Sequence, residues 1–186
     1  GLHGLQVNMQ APENNQDVMA REVLIAASIE TARSAQVQFK IQVQEWKNTL
    51  FRGTQGQETF DKYKKAFLEE GQQTQALLSK LSQIQTSLGL PNAPVEQARA
   101  VHAGLESKYL AALENYSISD INSAARVDHL VTGIDRAPTQ QIDDLVAATL
   151  KRAQQMHSES EENNPSHNQK NHPLTPISSG CSLLLR

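Results

Sequence analysis

Lys40, Gln44, Lys47, Asn48 and Arg52 crowd one stretch of the chain, and their types suit one kind of chemistry. Steps of four join Lys40 to Gln44 and Gln44 to Asn48, so on a helix these side chains share a row. Ammonium and guanidinium groups beside amides can hold an anionic or carboxylate ligand through charge-assisted hydrogen bonds. The alternative is a solvated face whose long stems cover the edge of a core, and surface base rates favour it. Gln36 falls in one heptad column with Ile29, Val43 and Leu50. A buried amide costs stability unless it is hydrogen-bonded. Gln36 therefore either contacts a ligand near the middle of the helix or makes an internal hydrogen bond that fixes register; the second is the usual fate of such groups. Arg136, beside Asp135 and just before Pro138, can pair with a ligand acid or tie its loop to a carboxylate on another helix. The structural role suits an element that punctuates a helix start. The candidate ligand-binding set is Gln36, Lys40, Gln44, Lys47, Asn48, Arg52 and Arg136.

Other chemistries find little support. His102 lies on an apolar stripe, which invites a haem reading, but CxxCH and a second ligand pattern are absent. A satisfied core or edge histidine is the expected role. His129, His157, His167 and His172 lack fixed spacing on an ordered element, so no metal site and no cofactor are expected. There is no nucleophile elbow, P-loop, HExxH or Gly-rich dinucleotide turn. Glu69/Glu70 and Asp143/Asp144 are adjacent pairs that point to different faces of a helix, so paired-carboxylate catalysis is not indicated. The chain does not read as an enzyme. A formal net charge of -3 and a pI near 6.1 leave no electrostatic footprint for nucleic acid. The single Cys181 excludes an internal disulfide framework.

The elements that position these residues are helical. Gln, Ala, Leu and Ser dominate, and straight-chain residues lose little rotamer freedom in a helix. From Asn15 to Arg52, Val18, Ile25, Ala32, Phe39 and Trp46 recur every seven residues, with Ile29, Val43 and Leu50 as a second column. Trp46 reads as a core residue whose indole N–H needs a partner. This first helix would be roughly 55 Å long at 1.5 Å per residue. A turn at Gly53–Gly56 leads to a second helix over 57–88, with Phe60, Tyr63, Phe67, Thr74, Leu77, Leu81, Ile84 and Leu88 as its stripe. Pro94 opens a third, carrying Ala98, Val101, His102, Leu105, Tyr109, Ala112 and Tyr116. A short helix is expected over 120–131, and Pro138 opens a last one over 138–157 with Ile142, Leu145, Val146, Thr149, Leu150, Ala153 and Met156.

Four long helices with short connections make an all-α fold, with an up-and-down four-helix bundle of long antiparallel helices the economical solution. Residues 1–14 read as a lead-in, 15–156 as the bundle and 157–186 as a disordered, polar, proline-containing tail. No window reaches the roughly 18 apolar residues that a membrane span needs, and no signal peptide is apparent. The chain reads as a fragment whose membrane segments are missing.

Two segments carry a resemblance. VQFKIQVQEWKNTLFRG (37–53), followed by FDKYKKAF (60–67), and VDHLVTGIDRAPTQQIDDLV (127–146) together resemble the periplasmic sensor domains of bacterial methyl-accepting chemotaxis proteins. The order of the motifs also fits, although Lys64 stands where Trp is common and Thr132 where Arg is common. The resemblance covers roughly residues 15–156. It implies the periplasmic portion of an inner-membrane receptor: a homodimeric input domain for signal transduction in chemotaxis, set between two membrane helices. A small molecule or a ligand-loaded binding protein would displace its first or last helix. A sensor histidine kinase sharing this input domain, or a structural or adaptor bundle that binds protein partners, are the alternatives.

Overall fold

The computed structural model describes residues 15–162. The lead-in 1–14 and the tail from residue 163 lie outside them. Five α-helices and one 3-10 turn follow in order: α1 Asn15–Arg52, the turn Gly53–Gln55, α2 Gln57–Ser87, α3 Ala93–Leu113, α4 Ile121–Leu130 and α5 Arg136–Glu162. The described residues contain no strand, and none of their helices is long and apolar enough to cross a membrane.

The buried side chains form three layers. The first joins Phe39, Trp46 and Leu50 of α1 to Phe67 of α2, Leu105 and Tyr109 of α3, Val127 of α4 and Ile142 of α5. The second joins Ala32 and Ala35 to Leu78, Leu81, Val95, Ala98, Leu145 and Val146. The third holds Ile25, Ile84, Leu88, Ala153 and Met156. Through these layers residue numbers fall along α1 and α3 and rise along α2 and α5, so neighbouring long helices alternate in direction. α1 makes its most extensive contact with α2 and the next with α5.

The first heptad column of α1 is core from Ile25 through Trp46. The second holds at Leu50 but is otherwise displaced by one residue from the expected one. Ser28, Ala35, Gln42 and Thr49 are buried, whereas Ile29, Gln36 and Val43 sit half-buried at the margin. Ser28, Ala35 and Thr49 win these positions because they are small and let the α2 backbone approach. Their hydroxyls cost little there, since Ser28 donates to the Ile25 carbonyl (2.6 Å) and Thr49 to that of Glu45 (2.7 Å). On α2 the same logic brings Gly71 into the core, where Leu78 stands in place of the expected Leu77, and on α3 Val101 turns outward.

The ends follow local chemistry. Gly89, at φ 72°, lets the Leu90 N–H reach back to the Gln85 carbonyl at 2.9 Å and stops α2. Asp120 caps α4 by accepting from the Asn122 N–H at 3.0 Å. α5 begins at Arg136, two residues before the expected proline, because first-turn N–H groups have no helical acceptor and Pro138 fits there. It also runs on through His157–Glu162, where polar composition predicts irregular chain. The His157 ring contacts Glu22 on one side and Glu161 on the other, each at 3.2 Å. Both carboxylates raise the imidazole pKa, the Glu22 hydrogen bond most.

At the opposite end the Tyr116 hydroxyl donates to the Leu50 carbonyl at 2.9 Å, and its ring stacks on Phe60 with centroids 5.0 Å apart. Tyr116→Phe keeps the stack and strands the carbonyl, so it should cost about 1 kcal/mol in urea unfolding. An unchanged midpoint would show that the hydroxyl contributes nothing to this end of the molecule.

Candidate functional site

The outer face of α1 carries most of the residues predicted to bind a ligand, but they do not converge on one pocket. Gln36 donates to Asp143 Oδ1 of α5 at 2.6 Å, and Lys40 Nζ stands 3.9 Å from the same oxygen. Lys47 Nζ reaches Asp128 of α4 at 2.6 Å. Arg52 donates to the Tyr63 hydroxyl at 3.1 Å and lies 5.8 Å from the centre of that ring. Gln44 and Asn48 make no side-chain hydrogen bond among the described residues. Arg136 is exposed beside Gly133. Internal carboxylates therefore take up two of the cations. Both ion pairs are solvent-exposed, and such pairs contribute about 0–1 kcal/mol, so an incoming anion can compete for either lysine.

One residue that sequence reasoning passed over belongs to this face. Arg33 is exposed, forms no ion pair among the described residues, and lines a shallow groove on α1 with Ala26, Ile29, Glu30, Val37 and Gln38. Its signal was present: Arg33, Lys40 and Lys47 are spaced by sevens and form one cationic column. Beside it runs an apolar stripe of Met19, Val23, Val37, Ile41 and Phe51, all exposed. Met19 and Val23 are each 67% exposed on the described chain.

Behind this face lies a buried polar network, and its centre is not Gln36 but Gln42, which is 2% exposed. Gln42 Nε2 donates to Glu106 Oε2 at 2.8 Å, while its Oε1 meets His102 Nε2 at 2.7 Å. His102 Nδ1 meets Gln75 Nε2 at 2.7 Å, and Gln75 also donates to the Arg99 carbonyl at 2.9 Å. These partners fix a neutral imidazole that donates from Nε2 and accepts at Nδ1. Burial pushes the His102 pKa down to about 4. Phe39 packs edge-on against the ring with centroids 5.6 Å apart. His102 is thus the satisfied core histidine the sequence implied, a residue of α3 hydrogen-bonded to α1 and α2. Gly71 of α2 makes room for it, because a Cβ there would overlap the Glu106 carboxylate and the Gln42 amide.

Trp46 departs from expectation. It is 1% exposed and packs 4.6 Å from the Tyr109 ring, yet its indole N–H has no hydrogen-bond partner. Aromatic packing holds it without one. Desolvation, with Asp135 and Asp128 nearby, raises the Tyr109 pKa. No group of three or more His, Cys, Asp or Glu residues suited to a metal ion occurs among the described residues.

Over 147 residues, 77% of its length, the chain is 34% identical to the methyl-accepting chemotaxis protein CtpH of Pseudomonas aeruginosa. The match spans about a quarter of that protein, 25% of its length. No protein-family model and no solved structure matches the chain. Over this region the chain is related to methyl-accepting chemotaxis proteins.

Proposed function

We propose that this chain is the extracytoplasmic ligand-sensing input domain of a transmembrane chemoreceptor, an up-and-down four-helix bundle that signals by helix displacement. The similarity to a chemotaxis receptor carries the reading. The geometry supports it, because α1 begins and α5 ends at the same end of the molecule. Ile25 and Met156 share the third layer there, and Glu22 meets His157 at 3.2 Å. A periplasmic domain held between two helices of the inner membrane needs its two ends side by side. Long rigid helices can carry a small axial shift from one end to the other. The apolar stripe on α1 suits a parallel two-fold contact between copies, since a patch of this kind marks an interaction site. A ligand between the copies would meet Arg33, Lys40, Gln44 and Lys47 from each α1, with Gln36, Asn48 and Arg52 flanking.

Screening the chain by thermal unfolding against amino acids, organic acids and inorganic anions tests this. A ligand at tenfold its Kd should add about 1.4 kcal/mol to native-state stability. Lys40→Ala and Arg52→Ala should each abolish the gain. Retention in both variants places the ligand elsewhere. Silence across the panel would count against direct sensing of a small solute. One observation favours a second reading, a bundle that binds a protein partner through the same stripe: none of the seven predicted residues lines the α1 groove or the cavity described next.

A further inference from the structure

α3 begins at Ala93, one layer later than its neighbours, and contributes no residue to the third core layer. Among the described residues the gap is covered by the α2–α3 connection and the first turn of α3. A cavity of about 240 Å³ remains there between α1, α2, that connection and α5. We infer that this cavity is a second binding site, distinct from the α1 face, for a small apolar molecule bearing one hydroxyl, of which phenol is the simplest type.

The walls argue for an apolar occupant. Leu88, Ala153 and Met156 line the cavity, and Pro91 and Pro94 bring wall without an N–H. The two hydroxyls in the lining are already committed to their own helices, Ser28 to the Ile25 carbonyl and Thr149 to the Leu145 carbonyl at 2.7 Å. Gln85 is different: its side chain lines the same space, and its buried Oε1 has no hydrogen-bond partner. A trapped water needs two to four polar partners, and the buried part of this lining supplies only the Gln85 amide, because Arg152, which also lines the cavity, is exposed. Water is therefore a poor tenant, whereas an apolar body with a single polar group fits. A hydroxyl suits Gln85 best because it both donates and accepts, and so meets the side-chain amide in either orientation. The size agrees, since an apolar cavity of roughly 150 Å³ already takes a single benzene ring. Met156 adds a flexible, polarizable wall that can adjust to a ring.

The test uses the full chain with labelled methionine methyl groups, titrated with phenol, toluene and benzoate. Phenol should shift the Met156 methyl resonance saturably and leave exposed Met19 unmoved, with toluene about tenfold weaker for want of the Gln85 contact. Gln85→Leu should bring phenol down to the toluene level. Ala148→Leu, an exposed position on the cavity wall, should abolish both shifts while helix content and melting temperature hold. The site is refuted if Met156 shows no saturable shift up to the solubility of phenol, or if Ala148→Leu binds as well as the parent. Equal affinity for phenol and toluene refutes the hydroxyl assignment. Tighter binding of benzoate refutes it in favour of a carboxylate held by Arg152 at the same cavity.

Discussion

Between pH 7 and pH 4 the domain should lose about 3 kcal/mol of unfolding free energy through His102 alone, and His102→Gln should remove that loss. His102 is 1% exposed, and burial holds its pKa at about 4 against an ordinary 6.5. In the unfolded chain the imidazole takes up a proton below about 6.5, while in the native state it stays neutral until about 4. Throughout that window the unfolded state binds more protons, so acid favours unfolding. The contribution is complete above about 6.5, declines as the pH falls, and levels off below about 4. Glu106 sits one hydrogen bond beyond Gln42 and would welcome a charged imidazole, but desolvation outweighs it. His157 titrates with the opposite sign, because its carboxylate partners stabilise the protonated form. That exposed contribution is common to both proteins and cancels in the comparison. Glutamine at 102 can still accept from Gln75 and donate to Gln42, so neutral-pH stability should change little. Urea unfolding of parent and variant at neutral and acid pH gives the answer. Equal acid losses in the two would mean that His102 is hydrated and not desolvated as the network requires.

The second large effect concerns a single glycine. Gly71→Ala should destabilise the domain by about 2 kcal/mol, although alanine is the better helix former by about 1 kcal/mol. The new methyl would occupy the space where Glu106 meets Gln42. Glu106 is half-buried and can swing away into solvent, but the Gln42 amide cannot follow. Its Nε2 would be left buried without a partner, at a cost of about 1–3 kcal/mol, and still crowded by the new carbon. Gly104→Ala is the control. Gly104 lies on the exposed side of α3 with open space where its Cβ would be. There the propensity gain acts alone, and the variant should be stabilised by about 0.5–1 kcal/mol. Opposite signs for one substitution on two helices would isolate the packing around the network. A stabilised Gly71→Ala protein would mean that the Gln42–Glu106 contact is dispensable.

Much of the helical framework was legible because periodicity is a local property. The column Ile25, Ala32, Phe39 and Trp46 is apolar at every step, and a seven-residue rhythm needs no knowledge of its partner. The stop at Gly89 was legible for the same reason, whereas the capping role of Asp120 emerged only with the structure. The second column of α1 was not legible either. Ser28, Gln42 and Thr49 are polar by type, and their burial depends on α2 lying close enough to exclude water. Hydropathy favours Ile29 and Val43, whereas the packing turns α1 by one residue toward its small side chains. The α5 boundary failed differently. His157–Glu162 looks like loop by composition, but the helix continues and Glu22 of α1 meets His157 from across the interface.

The candidate ligand face divides in the same way. Residue types and spacing put Lys40, Gln44, Lys47 and Asn48 on one side of a helix, and that is a fact of helical geometry alone. Which of the cations already have carboxylate partners depends on where α4 and α5 lie. Asp128 and Asp143 are 81 and 107 residues distant from the Lys47 and Gln36 they bond. By itself the sequence determined that the described chain is helical, where its long helices turn, and that no catalytic constellation is written in it. Only the tertiary structure decided that Gln42 and not Gln36 is the buried amide, that His102 is held neutral, and that a late start to α3 leaves a cavity. Helical period is set by backbone geometry within a few residues, whereas burial and charge pairing are set by neighbours far away in the chain.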